Sequence, residues 1–151
     1  MDFDLVLAIA HHLAVFTLVA LFAAEFVLLR PGLAGARIHQ LGRIDLAYGA
    51  VAGLVIVVGV LRVIFDASGW SYYVHNEMFW AKMGAFLIVG LLTIVPTISI
   101  RRWVVATQQN PAYAPPPADI ARNRRFVHLQ AAGLLFIPGF AAAMARGYGV
   151  V

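Results

Sequence analysis

The chain contains no cysteine. A disulfide, a thiolate metal site and a cysteine nucleophile are all excluded, and any metal must be held by histidine, methionine or oxygen. Charge is scarce as well: Asp, Glu, Lys and Arg make up 12% of the 151 residues, about half the roughly 25% of an ordinary soluble domain. Low-complexity sequence is confined to one stretch, Asn110 to Asp119 (NPAYAPPPAD), whose prolines exclude helix and make a semi-rigid connector. A basic amino-terminal region is missing too. Asp2 and Asp4 stand where a signal peptide carries Lys or Arg, so the first apolar run is expected to stay in the mature protein.

What the sequence does have is hydrophobic residues, 62% of the total. Apolar runs reach from Leu5 to Leu29, Leu46 to Phe65, Met78 to Ile100 and Phe126 to Ala145. Each is about 20 residues or longer, the length of a bilayer-spanning helix. The sequence therefore predicts an all-α, integral membrane four-helix bundle forming one domain over residues 1–151, with the lipid bilayer as its first partner. A net charge of +4 is compatible with nucleic acid, but the basic residues lie in loops beside the spans. Membrane topology explains them, and no nucleic-acid partner is expected.

Eight of the eleven Lys and Arg residues fall in two loops: Arg30, Arg37 and Arg43 after the first span, and Arg101, Arg102, Arg122, Arg124 and Arg125 after the third. The positive-inside rule makes that side cytoplasmic and places both termini outside. The other three, Arg62, Lys82 and Arg146, lie near the outer ends of the second, third and fourth spans. His12 enters the first span from the same side, about 10 Å deep at 1.5 Å per residue. Four helices thus each bring a basic or imidazole group to one outward layer.

Local expectations accompany this plan. The linker from Leu33 to Arg43 reads as a short interfacial helix, Asp45 as a cap for the second span and Asp119 as the N-cap of the fourth. Gly49 and Gly53 form a small-xxx-small pair that lets a neighbouring backbone come close. Pro96 predicts a kink. Trp70, Tyr72, Tyr73, His75 and Trp80 supply an interfacial aromatic belt or a lid. Adjacent helical positions differ by about 100°, so His11 and His12 face different ways. Glu25, fourteen residues beyond His11, returns to within about 40° of His11's meridian. His128 and Arg146, five full turns apart, share a face at opposite ends of the fourth span.

A buried imidazole with cations one or two turns nearer the surface suits a haem, with imidazole as axial ligand and cations at the propionates. No CxxCH attachment motif is present, so the expectation is non-covalent haem b, with His12 as the metal ligand, Arg62, Lys82 and Arg146 at the propionates, and Trp80 shielding the pocket. His11 is a further cofactor-binding candidate.

The run Ala10-His11-His12-Leu13-Ala14-Val15 in the first span, followed by Phe79-Trp80-Ala81-Lys82 opening the third, resembles HemJ-type protoporphyrinogen oxidases and CopD-like membrane proteins. Within that group the chain is similar to an uncharacterised bacterial family of small four-helix proteins. The resemblance implies that His12 ligates haem, that His12 and Lys82 are catalytic, that the substrate is a tetrapyrrole, and that the protein is multi-pass in the bacterial inner membrane. After His12 the sequence departs from the HemJ pattern: Leu18 to Ala24 reads LVALFAA where a Trp-Phe-Ala-Gly motif is usual. Two other readings stand beside this one. A non-catalytic small subunit, homo-oligomeric or part of a larger membrane complex, would use Gly49, Gly53 and the first helix face. Copper handling would use His11, His12 and His75 with Met78 and Met83 nearby.

Overall fold

The structure is a computed structural model and describes residues 3–65 and 69–150. Four long helices, α1 (Phe3–Leu28), α2 (Ala36–Phe65), α4 (Glu77–Gln109) and α5 (Pro117–Ala145), are each long and apolar enough to cross a membrane; α3 (Trp70–Val74) is a short helix between α2 and α4. The fold is all-α, as expected. α1 pairs with α2 and α4 with α5, and packing of α2 on α4 joins the two hairpins.

Three helices extend well beyond the apolar runs. α2 begins at Ala36 rather than near Leu46, absorbing the linker expected to lie along the interface; α4 continues past Ile100 to Gln109; α5 begins at Pro117 rather than Phe126. Hydropathy marks only the stretch that matches lipid, whereas the backbone hydrogen-bond ladder continues wherever no residue breaks it. Two capping expectations are corrected as a result. Asp45 is not at a helix start but inside α2, and is 3% exposed. Asp119 lies in the first turn of α5 behind Pro116 at the cap and Pro117 at the first position, where proline's missing N–H costs nothing. There it pairs with Arg122 at 3.3 Å.

Helix contacts are closest at glycines other than the expected pair. A Cβ on Gly42 would meet Val104 Cγ2 at 2.6 Å, and one on Gly133 would meet Val89 Cγ2 at 2.6 Å, so these two positions set the approach of α2 and α5 to α4. Gly49 and Gly53 are exposed with nothing within 4 Å of their Cβ positions; within this chain they admit no neighbouring backbone. Pro96 lies inside α4, which remains helical on both sides of it. Proline cannot donate to the carbonyl four residues back, that of Leu92. Gln130 of α5 supplies the missing donor, its Nε2 reaching Leu92 O at 3.3 Å.

The end of the bundle bearing the amino terminus is closed by hydrogen bonds. Asn76, fully buried, caps α4 by accepting from Met78 N at 2.9 Å and Phe79 N at 3.3 Å. The carboxy-terminal turn folds back on it, Glu77 N donating to Gly149 O at 2.7 Å, and Tyr72 Oη donates to Met144 O at 3.0 Å.

Candidate functional site

The inward stripe of α1 runs Leu7, Ala14, Leu18, Phe22 and Glu25, at steps of four, three or seven residues. His11 falls on that stripe and His12 falls off it. The structure accordingly turns the two imidazoles apart, their rings 6.3 Å between centroids and nearly perpendicular. His11 is half-buried against α2, its Cε1 3.3 Å from where a Gly59 Cβ would stand. A side chain at that position would push the imidazole away. His11 Nδ1 is buried and has no hydrogen-bond partner. His12 is exposed and engages the Ala8 carbonyl one turn back through Nδ1 at 2.7 Å. Its partner is therefore its own helix, as it is for Thr17, whose hydroxyl donates to the Leu13 carbonyl at 2.8 Å.

Arg62 of α2 and Lys82 of α4 are both half-buried and within electrostatic reach of His11 and of each other. Arg62 Nε is buried without a hydrogen-bond partner, and Lys82 Nζ lies 5.4 Å from the centroid of the Phe79 ring on its own helix. Three helices thus bring an imidazole and two cations into one layer. Other residues expected there are placed differently. Trp80 is 57% exposed, its indole N–H donating to Val74 O at 2.9 Å, so it covers no pocket within this chain. Arg146 is exposed at the end of α5. His75 is exposed and tied through Nδ1 to Ser71 O at 2.9 Å. Among the described residues no group of three or more His, Asp or Glu side chains is arranged to hold a metal ion.

A cavity of about 180 Å³ lies deeper in the bundle, walled by Leu18, Ile56, Phe86 and Leu134 and given room by Gly49 and Gly90. Tyr48 and Thr93 line its far side. They belong to a second polar layer. Glu25 is 1% exposed and its Oε2 has no hydrogen-bond partner; Asp45 accepts from Thr97 Oγ1 at 2.6 Å; Gln130, 1% exposed, accepts from Thr93 Oγ1 at 3.1 Å. At the arginine-rich end Arg124 donates to the Leu29 carbonyl at 2.6 Å, and the exposed His128 ring packs at a tilt against Phe26, 4.9 Å between centroids, while its Nδ1 meets Arg124 O.

Of this second layer only Glu25 stands out from the sequence at first sight. Stepping back from Arg62 in threes and fours gives Gly59, Val55, Ala52, Tyr48, Asp45, Leu41 and Ile38, the inward stripe of α2. That periodicity carries both the early helix start and the burial of Asp45.

Fold and site together define a small polytopic membrane protein with ionisable groups held inside its helix bundle. The chain belongs to the DUF2214 family of predicted membrane proteins, whose profile matches residues 3–149. No curated protein and no solved structure matches it.

Proposed function

We propose that the protein binds haem b or a closely related tetrapyrrole at the His11–Arg62–Lys82 layer, and that its role is redox. One observation carries this reading: a buried imidazole nitrogen without a partner stands beside two cations contributed by other helices. Burying such a nitrogen unpaired costs about 1–3 kcal/mol. A ligand that takes the nitrogen and presents carboxylates to the cations offsets that cost. The donor set fits haem b, which needs an axial imidazole and counter-charges for two propionates. Space alone does not enclose it: the cavity beside the layer holds about 180 Å³, below the roughly 300–1,000 Å³ of small-molecule sites.

In this reading His11 replaces His12 as the ligand, since it is His11 that faces the cations. Arg62 and Lys82 hold the carboxylates, and the apolar stripes of α1 and α2 keep water from the nitrogen. Bound haem would supply one-electron chemistry at its iron. Oxidation of a tetrapyrrole substrate, as in the HemJ-type enzymes the sequence resembles, belongs to the same proposal, with the arginine-rich end of the bundle on the cytoplasmic side of a bacterial inner membrane.

The test is an absorption spectrum of detergent-purified protein expressed with ample haem, oxidised and dithionite-reduced. Wild type and His12→Ala should show a Soret band that His11→Ala lacks. No band in the wild type, or a band indifferent to His11→Ala, overturns the reading.

A second reading, a small subunit docking against another membrane helix, is favoured by Gly49 and Gly53, which lie exposed on α2 with open space before them. Gly49→Leu with Gly53→Leu should then lower the oligomer mass measured in detergent or abolish co-purification of a partner. An unchanged mass and no lost partner would remove this alternative.

A further inference from the structure

We infer that Glu25 and Asp45 form a proton-binding site in the membrane interior, loaded from the arginine-rich end of the bundle through a vestibule whose floor is Asp45. The inference does not rest on the tetrapyrrole reading; it concerns other residues and requires no cofactor.

Three independent features meet here. The first is burial: Glu25 is 1% exposed with Oε2 unpaired, and among the described residues it forms no ion pair. An uncompensated carboxylate in a low-dielectric interior is expensive enough that such groups are neutralised or lie on ion and proton routes. The second is pairing across α1 and α2, which pack against each other with Glu25 and Asp45 on their buried stripes; Asp45 acts electrostatically on Glu25, and both act on Tyr48. Two carboxyls so placed do not hold two negative charges independently; their proton binding is coupled. The third is access. A cavity of about 450 Å³ opens on Asp45 between α2 and α4, with His39, Arg43 and Arg101 around it. Arg43 and Arg101 stand exposed at its edge, while Leu46, Val104 and Val105 make most of its wall apolar.

The charged and titratable groups around the pair come from every neighbouring helix. α2 contributes His39, Arg43 and Tyr48; α4 contributes Arg101, which acts on Asp45; α5 contributes Arg124, whose guanidinium is held by the Leu29 carbonyl one turn beyond Glu25, and His128 against Phe26. Thr97 holds one Asp45 oxygen. A proton arriving through the vestibule therefore meets Asp45 first and reaches Glu25 second. From there the Tyr48 and Thr93 hydroxyls, within hydrogen-bonding reach of each other, line the inner cavity that leads towards Phe86 and Ile56. The step is a proton transfer alone: water or buffer gives up a proton, a carboxylate oxygen takes it, and the site's charge rises by one.

The experiment is infrared difference spectroscopy of the full chain in lipid nanodiscs, titrated in pH without sodium and then with sodium at fixed pH. A carbonyl-stretch band of a protonated carboxylic acid should bleach as pH rises, shift in D₂O and be lost in Glu25→Gln. In Asp45→Asn the midpoint should move by about one pH unit or more, the signature of coupled sites. The wild-type titration stands even if a variant fails to fold. A spectrum with no such band at any pH, or a band unaffected by pH throughout, overturns the inference. Bleaching by sodium at fixed pH makes this a metal-cation site and overturns it as well.

Discussion

Replacing Gln130 with leucine removes the side chain that serves the carbonyl Pro96 leaves open. Gln130 Nε2 donates to Leu92 O at 3.3 Å and Gln130 Oε1 accepts from Thr93 Oγ1 at 3.1 Å, in a position 1% exposed. The two losses are unequal. Thr93 also has the Val89 carbonyl at 2.9 Å, so its single hydroxyl proton keeps a partner. Leu92 O does not, because residue 96 has no N–H to offer. An orphaned buried carbonyl costs about 1–3 kcal/mol, while interhelical side-chain bonds in membranes average nearer to about 0.6 kcal/mol. Gln130→Leu is therefore expected to destabilise by about 1–3 kcal/mol.

The same change made on Pro96→Ala should cost under about 1 kcal/mol, since the alanine N–H now serves Leu92 O and only the Thr93 bond is lost. Pro96 is buried, so Pro96→Ala has its own cost from the void it leaves, but that cost cancels in the double-mutant cycle. Reversible unfolding in mixed detergent micelles, monitored by circular dichroism for all four proteins, gives the coupling. An interaction energy of about 1–2 kcal/mol is expected. Additivity within about 0.5 kcal/mol would refute the assignment of Gln130 to the proline-freed carbonyl.

Gly133→Ala should cost about 1–3 kcal/mol by overpacking against Val89, and Val89→Ala should recover most of that loss in the double variant; Gly49→Ala, with nothing within 4 Å, should instead stabilise the monomer by about 0.5–1 kcal/mol. Both are read from the same micelle unfolding curves, and a destabilising Gly49→Ala would contradict the open space seen there. Asn76→Ala should cost about 1 kcal/mol through loss of the α4 cap. Hydrogen exchange should quicken at Met78 and Phe79, whose amides it holds, and unchanged exchange would mean the cap is not what orders that turn.

The four spans were legible because lipid imposes one requirement, an apolar stretch long enough to cross, and composition answers it directly. The helix ends were not, because α2, α4 and α5 continue through Arg43, Arg101 and Arg122, residues that hydropathy reads as loop but that helices tolerate readily. Within the site, Arg62 and Lys82 were legible as the cations near one end. Helical phase separated His11 from His12 and put Glu25 on the His11 meridian without saying which face is inward; the structure buries Glu25 and half-buries His11, whereas the family resemblance pointed to His12. Gln130 was illegible without the fold, since only the juxtaposition of α5 with the Leu92 carbonyl reveals what it satisfies.

The two polar layers also bear on how the first hairpin finds its register. His11 and Glu25 are fourteen residues apart on α1; their α2 neighbours Gly59 and Asp45 are fourteen apart in the opposite direction. Both separations are about 21 Å of helix, so one antiparallel alignment satisfies both ends at once. Between them the contact is Ala14, Leu18 and Phe22 against Tyr48 and Val55, apolar and aromatic surfaces that a lipid environment distinguishes poorly from their neighbours one turn away. A slip of one turn, about 5.4 Å, would carry His11 off the Gly59 notch and Glu25 away from Asp45 together. Buried polar groups are costly in hydrocarbon but directional, and a register choice is where that combination helps. The same residues that we assign to ligand and proton binding thus also fix how α1 lies on α2, and substitutions that remove both layers should leave a hairpin that still inserts but samples more than one alignment, as paired electron–electron distances between labels on α1 and α2 would show.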